Sequence, residues 1–298
     1  MVRCKFAIGP SDRYQRSVSS LFTQLRWELR KLFARPRTWL GFGAAVLWQF
    51  AGALVLRLPV VRAGIAHQFH QAGLSFAESF TGLTSAAYML ANTMTFVGSL
   101  FIALIPADLV AQEREEGTLR TTFCRPVSRG RVYLVKLLVT LGFALTFTWF
   151  CGLCGLAIGL IAEGPGRLVM IGYTESVFGV FEMGEGLWRY ALAVLLVSLS
   201  ECSVALLTFA FSCTRMKPAS AVVLALTVFV ADDAVRNLPA LAGVRHHFLM
   251  TRVISWVGAF NDPLHVVRLR RCYSELALID VALAGAAWLA FRRSDFKP

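Results

Sequence analysis

Residues 108–138 read DLVAQEREEGTLRTTFCRPVSRGRVYLVKLL. The stretches on either side decide the fold. Residues 85–105 carry no charge, and 132–161 carry one, Lys136. A bilayer core is crossed by about 20 apolar helical residues, so 108–138 reads as a charged connector between two membrane spans.

The connector divides into parts. Residues 112–116 form an acidic helical turn, and Gly117 ends it by tolerating positive φ. Thr118 is placed to cap the next helical piece. Residues 120–124 give that second short amphipathic piece, broken by Pro126. Arg129, Arg131 and Lys136 are expected to anchor the next span at the headgroups. Alternating charges, two helix breakers and an apolar patch of Leu119 and Phe123 suit a surface that docks on another protein.

The rest of the chain agrees with a membrane reading. Its 298 residues are 56% hydrophobic and 16% charged, with mean hydropathy +0.60, whereas a soluble domain carries about 25% charged residues. Six spans are predicted, at 39–56, 85–105, 132–161, 187–211, 219–231 and 276–291. Residues 238–260 are fairly apolar but hold Arg245, His246, His247 and Arg252 between Pro239 and Pro263. A mid-span arginine costs about 2.5–3.5 kcal/mol, so this segment is expected to be re-entrant or interfacial, within an outer loop at 232–275.

Ahead of the first span, 18–38 places Leu21, Leu25, Leu29 and Phe33 at helical spacing, with Arg26, Arg30, Lys31, Arg35 and Arg37 on other faces. This predicts an amphipathic helix along the membrane surface, in contact with lipid headgroups. The basic N-terminus lacks a signal-peptide cleavage pattern, and the first span is expected to act as an uncleaved anchor.

With both termini cytoplasmic, inner segments hold 20 Lys and Arg and outer ones ten, six of these in 232–275. The net charge of +12 fits this loop bias better than nucleic acid, for which no reading motif is present. Cys151 and Cys154 have redox spacing but lie inside a span, where cysteine packs as a small hydrophobe. His246, His247 and His265 lack metal-ligand spacing. Asn92, Thr93, Ser198 and Glu201 are the candidate intramembrane polar residues. Glu201 stands out because an ionisable group in a span is a functional candidate.

The connector resembles the hallmark of permease subunits of ABC-2 type ABC transporters. That hallmark is similar to Glu113, Glu115, Glu116, Gly117, Thr118, Leu119 and Arg120, then Arg125, Pro126, Val127, Ser128 and Arg129, then Lys136. The stretch with Glu28, Lys31, Arg35 and Pro36 before Trp39 is similar to the family's elbow helix, and the ending from Ala290 to Asp295 to its usual close.

The resemblance implies an all-α integral membrane protein with one permease domain over 1–298. Its six transmembrane helices would follow an elbow helix at 18–38, with a cytoplasmic coupling segment at 108–131. It further implies a bacterial or archaeal cytoplasmic membrane, a homodimer of permeases, and two copies of a separate ATPase that carry the ATP and Mg. The chain has no G-x-x-x-x-G-K-[ST] phosphate loop, so no cofactor is expected in it. Glu113, Glu115, Glu116, Arg120, Arg125 and Arg129 would offer charges to the ATPase, Leu119 and Phe123 would be buried against it, and Gly117 and Pro126 would delimit the lever.

Two alternatives stay open. One is a subunit that transmits force to an outer accessory protein docked on 232–275 without moving a solute. The other is an ATP-independent channel or intramembrane enzyme centred on Glu201.

Overall fold

The computed structural model describes residues 10–119, 127–171 and 177–293. An N-terminal helix, Pro10–Ala34, ends at Arg35, and Pro36 opens the first span, Pro36–Leu56. Proline suits a first helical turn, where its missing N–H is not needed. The other spans are Gly82–Glu115, Arg129–Glu163, Met183–Cys213, Pro218–Arg236 and Val266–Arg293. All six are long and apolar enough to cross a membrane, so this is an all-α integral membrane protein in its spanning part.

The second and third spans run 34 and 35 residues, about 50 Å at 1.5 Å per residue. That exceeds an apolar core of about 30 Å, so both helices project past it and carry the connector between their ends. The second span is not a uniform α-helix. It widens into π-helical turns at Met94–Gly98 and Asp108–Gln112, the latter following Pro106. A proline inside a helix removes one hydrogen bond and crowds the preceding turn, and the widened turn comes directly after it.

The fourth span is the hub. It packs on the second, third, fifth and sixth spans, and 83% of its apolar window is buried, against 17% for the first and last spans. The second and third spans meet backbone to backbone at glycines. A Cβ at Gly159 would lie 2.4 Å from the carbonyl oxygen of Gly82, so only glycine allows this backbone contact. Gly155 and Gly159 form the small-xxx-small spacing that lets membrane helices pack at backbone distance.

At the end of the molecule away from the connector, a two-stranded antiparallel hairpin joins Leu168–Ile171 to Phe178–Phe181. Thr84 fastens it to the second span by accepting from the Val169 amide at 2.9 Å. Phe69, Phe80 and Val169 form a small second core beneath it. The hairpin is an addition to the all-helical expectation.

The 238–260 segment folds as short helical turns, Pro239–His247, Leu249–Val253 and Ile254–Phe260. The apolar part, Leu249–Phe260, spans about 18 Å, too little to cross a bilayer. Arg189 holds it by donating to the carbonyls of Ala259 and Asn261 at 3.2 and 3.1 Å. The last span begins at Val266, ten residues before the expected start, and so takes in Arg268, Arg270 and Arg271.

Candidate functional site

The projecting end of the second span places the connector's acidic motif among four helices. Glu113 is 2% exposed and accepts from two lysines. One is Lys31 of the N-terminal helix. The other is Lys136 of the third span, at 2.6 Å. Lys136 also donates to the Leu109 carbonyl at 2.8 Å and lies 3.7 Å from Glu28. Two carboxylates and two ammonium groups thus meet where three helices converge.

The physical need for this cluster is local. Lys136 stands two turns into an apolar helix and is 1% exposed. A buried ammonium requires both a counter-charge and satisfied protons. Glu113, Glu28 and the Leu109 carbonyl supply them. The expectation that Lys136 anchors the span at headgroups is therefore corrected: it faces inward, onto the motif.

The next residue fixes a fourth helix. The Arg114 guanidinium donates to the backbone carbonyls of Ser212 and Thr214, at the C-terminus of the fourth span. The last carbonyls of a helix have no partner within it and attract cations. Nearby, Asp108 is 4% exposed and lies 3.6 Å from Arg37.

The motif then turns. Gly117 has φ +74°, and its amide bonds to the Arg114 carbonyl at 3.1 Å, which closes the helix at a left-handed residue. Thr118 donates back to the Glu113 carbonyl at 3.1 Å, which ties the turn to the helix behind it. Leu119 is 1% exposed and belongs to the chain's own core.

The expected docking set is thereby divided. Glu115 and Glu116 are exposed, and Glu116 is held by the Gln112 amide at 2.7 Å. Glu113 and Leu119 face inward, a correction that follows from Lys31 and Lys136 needing a carboxylate and from the chain's own core enclosing the leucine. Arg129 donates to the Arg292 carbonyl at 3.0 Å, joining the third span to the end of the last. Arg120, Phe123, Arg125 and Pro126 lie outside the described residues.

The intramembrane candidates fall into separate groups. Asn92 accepts from the Trp48 indole at 2.8 Å, linking the first two spans, and Thr93 is fully buried where the π-turn begins. Ser198 donates to the Leu195 carbonyl at 2.7 Å. Glu201 is 5% exposed, and one of its carboxylate oxygens has no hydrogen-bond partner among the described residues. Ser200 and Tyr273, whose hydroxyls are 3.1 Å apart, join the fourth span to the last.

Sequence reasoning missed the Glu28–Lys31–Glu113–Lys136 cluster and the Arg114 cap. One signal was available: a lysine inside an apolar span calls for an acidic neighbour.

The profile of a family described as ABC-2 family transporter protein matches residues 24–231, more than two thirds of the chain. A protein from Stutzerimonas stutzeri named "Probable ABC transporter permease protein NosY" is 31% identical over 140 residues, 45% of this chain. The aligned stretch spans about half of that relative's length, 47%.

Proposed function

Because this chain belongs to the ABC-2 family of transporter proteins, a membrane component of ABC transporters, we propose that it is the permease subunit of an ATP-driven exporter. A separate ATPase, in two copies, binds and hydrolyses ATP with Mg. Two copies of this chain form the membrane-spanning part, set in a bacterial or archaeal cytoplasmic membrane with both termini inside.

One observation carries the reading. At the projecting end of the second span, Glu115 and Glu116 face out while Glu113 and Arg114 face in, and the inward pair is fastened to the N-terminal helix and the third and fourth spans. The outward carboxylates and the segment after Gly117 meet the ATPase. A push there reaches three other helices through Glu113 and Arg114. Exposed ion pairs with the ATPase contribute only about 0–1 kcal/mol each, so they set register, and the buried contacts carry the displacement.

The test is reconstitution with a co-expressed ATPase. Glu115→Lys/Glu116→Lys is expected to insert normally and lose ATPase co-purification and transport-linked ATP turnover. Unchanged co-purification and turnover in that variant would refute the assignment.

A further inference from the structure

The N-terminal helix has a second face that the cluster does not use. Phe22, Arg26 and Arg30 stand four residues apart along one ridge, and Leu25, Leu29 and Phe33 along the next. Between the ridges lies an open groove of about 500 Å³, lined by these six residues. The side chains of the second ridge are half-buried, packed on the chain's core from behind, while Phe22 is 66% exposed. Arg26 and Arg30 are exposed, and neither makes an ion pair among the described residues. The Arg30 guanidinium lies 5.9 Å from the ring centre of Trp27, itself 65% exposed.

We propose that this groove binds one anionic phospholipid, its phosphodiester held by Arg26 and Arg30 and an acyl chain lying along Leu25, Leu29 and Phe33. Three features select this occupant. Residues four apart on a helix are neighbours, so one anion lies within reach of both long side chains, and planar guanidinium donors match phosphate oxygens. Among the described residues no carboxylate lines the groove, so nothing in that wall repels an anion or recruits a cation. The remaining wall is apolar, which suits a hydrocarbon chain and leaves a soluble anion without a partner for Phe22 and Phe33. An exposed tryptophan beside the arginines fits the headgroup level, where amphipathic rings collect.

The site differs from general contact with a membrane surface in being two-pronged and saturable. It lies on the same helix as Glu28 and Lys31, which face the opposite way onto Lys136 and Glu113. A bound lipid therefore fixes the outer side of a helix whose inner side holds the connector. Binding itself needs no ATPase and is measured on this chain alone.

The experiment uses the full chain purified in uncharged detergent. Phosphatidylglycerol, phosphatidylcholine and inorganic phosphate are titrated, with native mass spectrometry and thermal unfolding as readouts. Phosphatidylglycerol is expected to bind at a stoichiometry of one and raise the unfolding temperature. Arg26→Gln/Arg30→Gln is expected to weaken binding by about tenfold or more. The charge-matched control Arg215→Gln/Lys217→Gln is expected to leave it unchanged. Arg26→Lys/Arg30→Lys, which keeps the charge and the fold but loses the planar donors, is expected to fall between. Equal loss in both Gln pairs, or none in either, overturns the site in favour of bulk charge attraction. An equal response to inorganic phosphate overturns the lipid in favour of a free anion, and an equal response to phosphatidylcholine overturns the selectivity.

Discussion

The ammonium of Lys136 lies 2.6 Å from the carboxylate of Glu113, and both side chains are almost wholly enclosed, 2% and 3% exposed. The first belongs to a span and the second to the connector motif, so the pair joins membrane to connector without a loop between them. Removing one member leaves the other buried with a weaker partner, Lys31 for Glu113 or Glu28 for Lys136, and the cost is bounded by the roughly 3–5 kcal/mol of a wholly uncompensated buried charge. Lys136→Met is expected to lower the unfolding temperature sharply in detergent. Glu113→Gln/Lys136→Met is expected to be more stable than Lys136→Met alone, because the buried Glu113 carboxylate is then no longer left with Lys31 as its one counter-charge. A double variant no better than the single would remove the pair as the cause.

Arg114 makes a different kind of link. Its two-pronged donation to the Ser212 and Thr214 carbonyls depends on a planar guanidinium. Arg114→Lys keeps the charge but cannot serve both carbonyls in one plane, and a loss of about 1–3 kcal/mol is expected. Hydrogen exchange at the amides of 210–216 reads it directly, with faster exchange in the variant.

Gly117 tests the turn. Among the described residues nothing lies within 4 Å of where its Cβ would stand, so a side chain there meets conformational strain and no crowding from them. Gly117→Ala is expected to cost about 1–2 kcal/mol, and Gly117→Asn less, because asparagine tolerates the left-handed region. Gly117→Pro, which cannot adopt that φ, is expected to uncouple ATP turnover from transport while the chain still inserts. Equal coupled transport across the three variants would show that the turn is not held in this shape.

Gly159 faces crowding instead. A methyl group there meets the Gly82 carbonyl and, at 3.1 Å, the Ser85 hydroxyl. The backbone cannot rotate away as a side chain would, so Gly159→Ala is expected to cost about 1–3 kcal/mol. Gly142, with no atom of the described residues within 4 Å of its Cβ, provides the control in the same span, and Gly142→Ala is expected to be neutral or slightly stabilising.

The six spans were legible because charge is absent from them and concentrated between them. The helix end at Gly117 was legible because few residues accept that backbone. Which motif residues face inward was not. Each π-turn in the second span adds a residue to one turn, and one residue is about 100° of helical rotation. A wheel drawn through the span therefore loses phase before it reaches Glu113. Its partners are also remote, Lys136 by 23 residues and Lys31 by 82, and local spacing does not report such pairs. The early start of the last span was hidden by Arg268, Arg270 and Arg271, which depress its hydropathy. Arg271 and Arg252 both pair with Glu275, at 3.1 and 2.9 Å, which offsets part of that charge within the fold. The hairpin has four-residue strands, too short for alternation to register.

The enclosure of the fourth span bears on where a solute could travel. Little of this helix is left at the surface of the chain, and its serines and glutamate lie enclosed by the chain's own spans. A passage opened between two copies of the chain would be walled by the spans each copy leaves uncovered, the first, fifth and last. Ser198 and Glu201 would then stand behind that wall, and a hunt for the conduit starts from the peripheral helices.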